Sequence, residues 1–417
     1  MIDVIISYQF EQGKLEFYYQ CELDEPKESS AKMARSKFFV ELPSDVSIES
    51  IHPDHLALSA FLVIRPWVNK NLTFSIPISQ RFADGLKKCN FTVGPVDENL
   101  DPYFSKGNLS YMGLAYSGGA DSTAALSVLP KTTIPIFLNR PKMENTLYSK
   151  EAAIQSCESL KKVGYQCLLI KCDLESMREP LGFPTDLSNG VPAILLAKKL
   201  NLFSISYGTV LESMYGLGRL KFKDYEDTSH KRMWWNVFES AGLPLTFPIA
   251  GVSEVGTELI CSRSNIGSIA RSCIRGTASD PCYRCWKCFR KLTLKKSLDL
   301  VTKGDENLIG LISNKEVRTK LSKMPISHEN VLLYAFSKLE MSIYPPSFSP
   351  RFSHNLDLDY LEKWYSPSKA YIDSKIRSEV ISNINQYISP MQEREEELVK
   401  EWDNQVRIEK LIALQYD

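Results

Sequence analysis

The chain has 417 residues, with 50 Lys and Arg balanced by 50 Asp and Glu, 43% hydrophobic and 24% charged residues. That length holds two or three domains and a self-sufficient core, the composition excludes a fibre or a disordered chain, and zero net charge excludes a global pull toward nucleic acid, leaving only a local basic patch. The ten cysteines are too unevenly placed in too long a chain for a disulfide scaffold, so in the reducing cytoplasm that is the simplest compartment, clustered ones read as metal ligands or catalytic thiols.

The opening MIDVIISYQF has no signal-peptide pattern, and no apolar run is long enough to span a bilayer. A cytoplasmic protein without membrane contact is expected. Residues 1–106 read as a β-rich domain. Asp3–Tyr8 and Leu15–Tyr19 are β-branched and aromatic runs split by a Gln-Gly turn. Leu72, Phe74, Ile76 and Ile78 alternate with polar or small residues, the period of a half-buried strand. The stretch Pro95–Lys106 suits a linker.

Residues 107–300 alternate short apolar runs with helical segments. Strands are expected at Tyr111–Tyr116, Ile134–Leu138, Cys167–Ile170 and Phe203–Tyr207, and helices at Thr123–Leu129, Ser149–Val163 and Val191–Leu200. This order predicts an α/β fold, a parallel sheet with helices on both faces and ligands at the carboxyl ends of its strands. Residues 301–417 read as a helical region interrupted by Pro345, Pro346 and Pro350. Its last helix, Glu393–Ile412, carries a narrow stripe of Val399, Trp402 and Val406. That stripe packs on its own domain or on a partner.

The first expected strand runs straight into Ser117-Gly118-Gly119-Ala120-Asp121-Ser122. Two glycines let the backbone approach an anion closely, and the amides of the helix that follows favour negative charge. Ser117, Ser122 and Thr123 add hydroxyls. Asp121 fits if a divalent cation lies between it and the phosphates, or if it caps the helix. A plain glycine turn is the bland alternative. The lysine-bearing phosphate-loop motif G-x-x-x-x-G-K-[ST] is absent, and the Gly216–Gly218 pair lacks the dinucleotide spacing.

Cys273, Cys282, Cys285 and Cys288 form C-x8-C-x2-C-x2-C. Four thiolates in so short a window suit tetrahedral Zn2+ with a closed, structural shell. An iron–sulfur cluster competes. Cys21, Cys89, Cys157, Cys167, Cys172 and Cys261 stand alone and read as small hydrophobes. Arg284, Lys287, Arg290 and Lys291 interleave with Trp286 and Phe289. They form a charged rim or a phosphate or nucleic-acid contact.

The loop resembles the SGGxDS signature of the PP-loop ATP pyrophosphatases, whose fold is adenine nucleotide alpha hydrolase-like. With the four cysteines, residues 107–292 resemble the QueC, or 7-cyano-7-deazaguanine synthase, family. Asp173 after the third strand, Val191-Pro192, Gly208 and Ser272 agree with that family. Ala193-Ile194-Leu195, Asn139-Arg140 and Val252-Ser253-Glu254 depart from it. The long form resembles QueC-like proteins of anti-phage operons, the Qat system and type IV CBASS.

The resemblance implies an ATP-dependent ligase. It would adenylate a deazapurine carboxylate and join it to an amine, on a partner protein or as ammonia. ATP and Mg2+ would sit on Ser117, Gly118, Gly119, Asp121, Ser122 and Thr123, and Zn2+ on the cysteines. Ser117, Asp121 and Asp173 would be catalytic. Asp186, Lys221, Lys223, His230 and Arg232 are weaker candidates near the site. A tRNA-modifying PP-loop enzyme and a non-catalytic nucleotide-binding subunit are the competing readings. Homo-oligomerisation and nucleic-acid contact are left open.

Overall fold

The architecture comes from a computed structural model that describes residues 3–21, 31–107, 110–142, 148–218, 220–300, 308–323, 325–339 and 357–407. The chain opens with an antiparallel hairpin of β1 (Asp3–Glu11) and β2 (Lys14–Cys21). Gln12 and Gly13 both take positive φ, 50° and 79°, the turn whose twist matches its strands. Next come β3 (Lys32–Met33), β4 (Lys37–Glu41), helix α1 (Pro53–Ile64), β5 (Asn71–Ser79), α2 (Gln80–Lys88) and β6 (Thr92–Asp97). β5 buries Leu72, Phe74 and Ile78 on one face, as its alternation requires.

Region 1–106 is therefore not β alone. α1 is buried on every side from Asp54 to Ile64, so it carries no 3.6-residue stripe. His52 caps it, accepting from the Asp54 amide, and Pro53 sits at its first position, where a missing N–H costs nothing. The expected linker begins inside β6.

The central elements follow the expected order: β7 (Tyr111–Tyr116), α3 (Ala120–Val128), β8 (Ile134–Asn139), α4 (Glu151–Lys162), β9 (Leu168–Cys172), β10 (Arg178–Glu179), α5 (Val191–Leu196), β11 (Leu202–Tyr207), α6 (Leu211–Met214), α7 (Ser229–Ser240), β12 (Leu245–Thr246), α8 (Glu254–Arg263) and α9 (Trp286–Ser297). One sheet has the order β12-β11-β7-β8-β9-β4-β2-β1-β5-β6, and β10 and β3 form a separate small ribbon. From β12 to β9 every pair is parallel. β9 then meets β4 antiparallel, which joins the N-terminal strands to the same sheet. The result is a mixed α/β fold with a large, mostly parallel sheet.

Within the parallel half the chain runs β7, β8, β9 in one direction, then returns to β11 and β12 on the other side of β7. The carboxyl ends of β7 and β11 thus flank a topological switch point, the place where open parallel sheets bind ligands.

The C-terminal region adds α10 (Leu308–Ile312), α11 (Lys315–Leu321), α12 (Glu329–Ser337), α13 (Arg377–Tyr387) and α14 (Glu393–Glu401). It packs onto the sheet layer. Asn383 donates to the Val128 carbonyl at 3.0 Å, and Tyr365 and Tyr371 join an aromatic cluster with Tyr215 and Tyr225. α14 stops at Glu401, earlier than expected. Val399 and Trp402 are buried, while Val406 is 45% exposed, so the stripe packs on its own chain. Residues 408–412 and the three prolines of 345–350 lie outside the described residues. No helix among the described residues is long and apolar enough to cross a membrane.

Candidate functional site

The glycine loop leaves β7 at the switch point. Gly118 has φ +77°, and a Cβ there would meet the Ala153 Cα at 3.2 Å. Only glycine fits both the left-handed backbone and that close approach. Gly119 caps α3 with extended backbone. Gly208, just past β11, lies so close that its Cβ would sit 3.0 Å from the Ser122 Cα. The Ser122 hydroxyl spans the loop, 3.1 Å from Ser117 Oγ and donating to the Gly119 carbonyl at 3.1 Å. Thr123 lies beneath: it is fully buried, and its hydroxyl pairs with Tyr116 at 3.0 Å. It braces the loop from below.

From the other side the chain before the cysteines clamps the loop. The Arg271 amide donates to the Gly118 carbonyl at 2.6 Å, and the Ala120 amide donates to Ser272 Oγ at 3.2 Å.

Asp121 faces a buried ionic cluster that the sequence did not announce. Its Oδ1 accepts from the Thr257 hydroxyl at 3.1 Å and lies 3.5 Å from Lys291 Nζ. That ammonium is also 3.5 Å from Glu254 and 3.1 Å from Glu258. Burial opposes the lysine's charge, but Asp121, Glu258 and Glu254 outweigh it and hold its pKa above the ordinary value. Glu254 also meets Arg290 at 3.2 Å and His328 at 2.8 Å. Burial would raise its pKa, yet Lys291, Arg290 and His328 hold it well below the carboxylate range.

Glu212 lies behind the cluster, accepting from the Glu254 amide at 3.1 Å and from Asn330 at 3.1 Å. Burial, then the Glu254 charge, push its pKa up to about 8. The folded value exceeds the unfolded one. Stability held below about pH 4.5 is therefore lost as pH rises, and fully lost above about pH 8, a change of up to about 5 kcal/mol. Glu212→Gln removes this titration. The wild type's stability relative to Glu212→Gln should fall by several kcal/mol from pH 5 to pH 9 in denaturant titrations. A constant difference would refute a neutral Glu212.

The four cysteine sulfurs lie within 4.8 Å of one another. Cys282 Sγ and Cys288 Sγ are 3.7 Å apart, too far for a disulfide. It is close to the roughly 3.8 Å between sulfurs around a tetrahedral zinc with 2.3 Å bonds. Backbone amides support them: Arg275 and Cys282 donate to Cys273 Sγ, and Cys288 donates to Cys285 Sγ, each at 3.4 Å. Such donors stabilise thiolate charge. Four sulfurs converging with no bond between them suit a shared cation. The donor set can hold a metal such as zinc.

Between the glycine loop, α8, the cysteine loop and α9 lies a cavity of about 660 Å³. Lys287, Lys291 and Lys295, four residues apart on one face of α9, line it together with Arg271, Glu258, Asp280 and several serines. The cavity touches both Ala120 and the cluster's Cys273 and Cys288.

Other expected residues fall elsewhere. Asp173 ends β9, two strands from β7 and so about 10 Å away. It accepts from the Phe39 amide at 2.7 Å and lies 3.8 Å from Arg35, which makes it a tie between β9 and the N-terminal strands. Asp186 pairs with His230 at 2.9 Å. Lys221, Lys223 and Arg232 are exposed. Glu254 and Glu258 on α8 face the lysines of α9, and both spacings, i and i+4, were visible in sequence.

A family described only as a family of unknown function (DUF6395) matches residues 233–403. That span holds the cysteines, Lys291 and α12 but not the glycine loop. No curated protein and no solved structure matches the chain.

Proposed function

We propose that the chain is a QueC-like, ATP-dependent ligase that activates a deazapurine carboxylate as an adenylate and joins it to an amine. The observation that carries this reading is the glycine loop at a switch point, opening a helix and clamped by the segment that leads into the four-thiol cluster.

A carboxylate is a poor electrophile, because its leaving group would be oxide. Its oxygen attacks the α-phosphorus of ATP, and the bond to the bridging oxygen breaks, releasing pyrophosphate. The amides at the α3 N-terminus and the Ser117 hydroxyl receive that developing charge, while Ser122 holds the loop in shape. One such preorganised donor contributes about 3 kcal/mol to the barrier. Mg2+, held by Asp121, would neutralise phosphate charge when bound. An amine then attacks the acyl carbon, loses a proton and expels AMP. With a protein amine the product is a conjugate. With ammonia it is a primary amide, and a second activation gives the nitrile of the synthase reading.

Sulfur transfer to tRNA has less support. Among the described residues, cysteines outside the cluster are buried or half-buried, and none forms an exposed pair. A binding-only subunit is favoured by one observation, the engagement of Asp121 with Lys291.

With 7-carboxy-7-deazaguanine and ammonia or a protein amine present, AMP and pyrophosphate should appear together, and only when the carboxylate is added. Asp121→Ala should slow this at least about a hundredfold. Undiminished turnover in that variant, or tight ATP binding with no turnover, would overturn the proposal.

A further inference from the structure

We propose that the outer face formed by the cysteine loop, α9 and α11 binds a single-stranded nucleic acid. This goes beyond the ligase reading and rests on surface charge and shape alone.

The chain is neutral as a whole, yet residues 271–323 hold thirteen Lys and Arg against five Asp and Glu, a net charge of +8. The rest of the chain carries the compensating negative charge, so this segment stands out as basic within a neutral chain. Part of that positive charge turns inward, since Arg290 and Lys291 are spent on Glu254 and Glu258. Five others are exposed: Arg284 on the cysteine loop, Lys315, Arg318 and Lys320 on α11, and Lys323 just after it.

These segments form one surface. Glu316 at the start of α11 pairs with Arg275 of the cysteine loop at 2.6 Å and accepts from the Trp286 amide at 3.1 Å. Its carboxylate acts as a local hinge pin within a positive field. Cations clustered on one face are the electrostatic footprint of a phosphate backbone.

Two features select a single strand over a duplex. Tyr283, next to Arg284, is 41% exposed, and Ile274 on the same loop is 47% exposed. An exposed ring among cations is a stacking platform for an unpaired base. Tyr283 and Lys295 also line the cavity, whose volume admits a nucleotide and excludes a double helix. A strand following the phosphate-binding groups of α11 thus reaches an opening that can take one base.

The test is fluorescence anisotropy on the full chain with three labelled probes: a ~20-nucleotide RNA strand, the matching DNA strand and a DNA duplex of similar length, at about 50 and about 200 mM salt. Both single strands should bind, or one of them, which identifies the sugar read. Binding should weaken at least about tenfold over that salt interval. The triple variant Lys315→Glu/Arg318→Glu/Lys320→Glu should lose at least about tenfold in affinity. Lys87→Glu/Lys88→Glu, on exposed α2 positions, should match the wild type. Tyr283→Ala, checked for unchanged metal content, should lose about tenfold on single strands. Equal or tighter duplex binding would overturn the single-strand claim. Wild-type affinity in the triple variant would overturn the assignment of the face. No binding to any probe would refute nucleic acid altogether and leave the face to an acidic protein surface.

Discussion

Purified protein should carry one zinc ion per chain, and Cys285→Ser should lose it together with the order of the segment from Arg271 to Trp286. Cys285 has two roles, as one of four converging sulfurs and as the cap of α9 that accepts from the Cys288 amide. Structural zinc contributes about 10–16 kcal/mol of apparent binding energy in small domains, far more than any other contact in this loop. Without it four thiols crowd together with nothing to hold them. The effect should spread to the glycine loop, which the same segment clamps at Gly118 and Ala120. Metal analysis by mass spectrometry and limited proteolysis read both effects. Full zinc content in Cys285→Ser, or the visible absorption of an iron–sulfur cluster in the wild type, would refute the assignment.

Lys291→Met should destabilise the fold by about 3–5 kcal/mol, because it leaves three carboxylates facing one another in a buried site. Methionine has a similar length, so little packing is lost and the penalty is electrostatic. Glu258→Gln added to Lys291→Met should recover part of it, since removing one carboxylate relieves the repulsion that the lysine had offset. Denaturant unfolding of the four members of this cycle measures the coupling. Additive penalties would mean that Lys291 and Glu258, 3.1 Å apart, do not interact, and the cluster would lose its meaning as a unit. The variant also removes the lysine from Asp121, so under the proposed function its ATP affinity would test whether the cluster tunes the loop.

The sequence made some of this plain and hid the rest for identifiable reasons. β7, β8, β9 and β11 were visible because each is a short apolar run bounded by turns, and the glycine loop and the cysteines because their residue types have few other uses. α1 was invisible because a helix buried on all sides has no polar face to set its period. Thr123 belonged to the motif, but only three-dimensional packing reveals that Tyr116 claims its hydroxyl. Asp173 followed a strand as expected, yet its partners Arg35 and Phe39 are more than 130 residues away in sequence. The Lys291 cluster draws on α3, α8 and α9, and no linear pattern ties those helices together. Single periodicities, Glu254 with Glu258 and Lys287 with Lys291, were present and needed only each other to be interpretable.

The antiparallel seam between β4 and β9 has a practical corollary. Only Val40 with Cys172 and Glu41 with Lys171 are in register there, a short junction between two broad halves. Cutting the chain near residue 106 would still strip β9 of its neighbour and bare a row of unsatisfied amides and carbonyls. An uncovered margin of that kind recruits other chains. The minimal unit that keeps the glycine loop from aggregating is therefore longer than the stretch bearing the motifs, because the first hundred residues act as its edge guard.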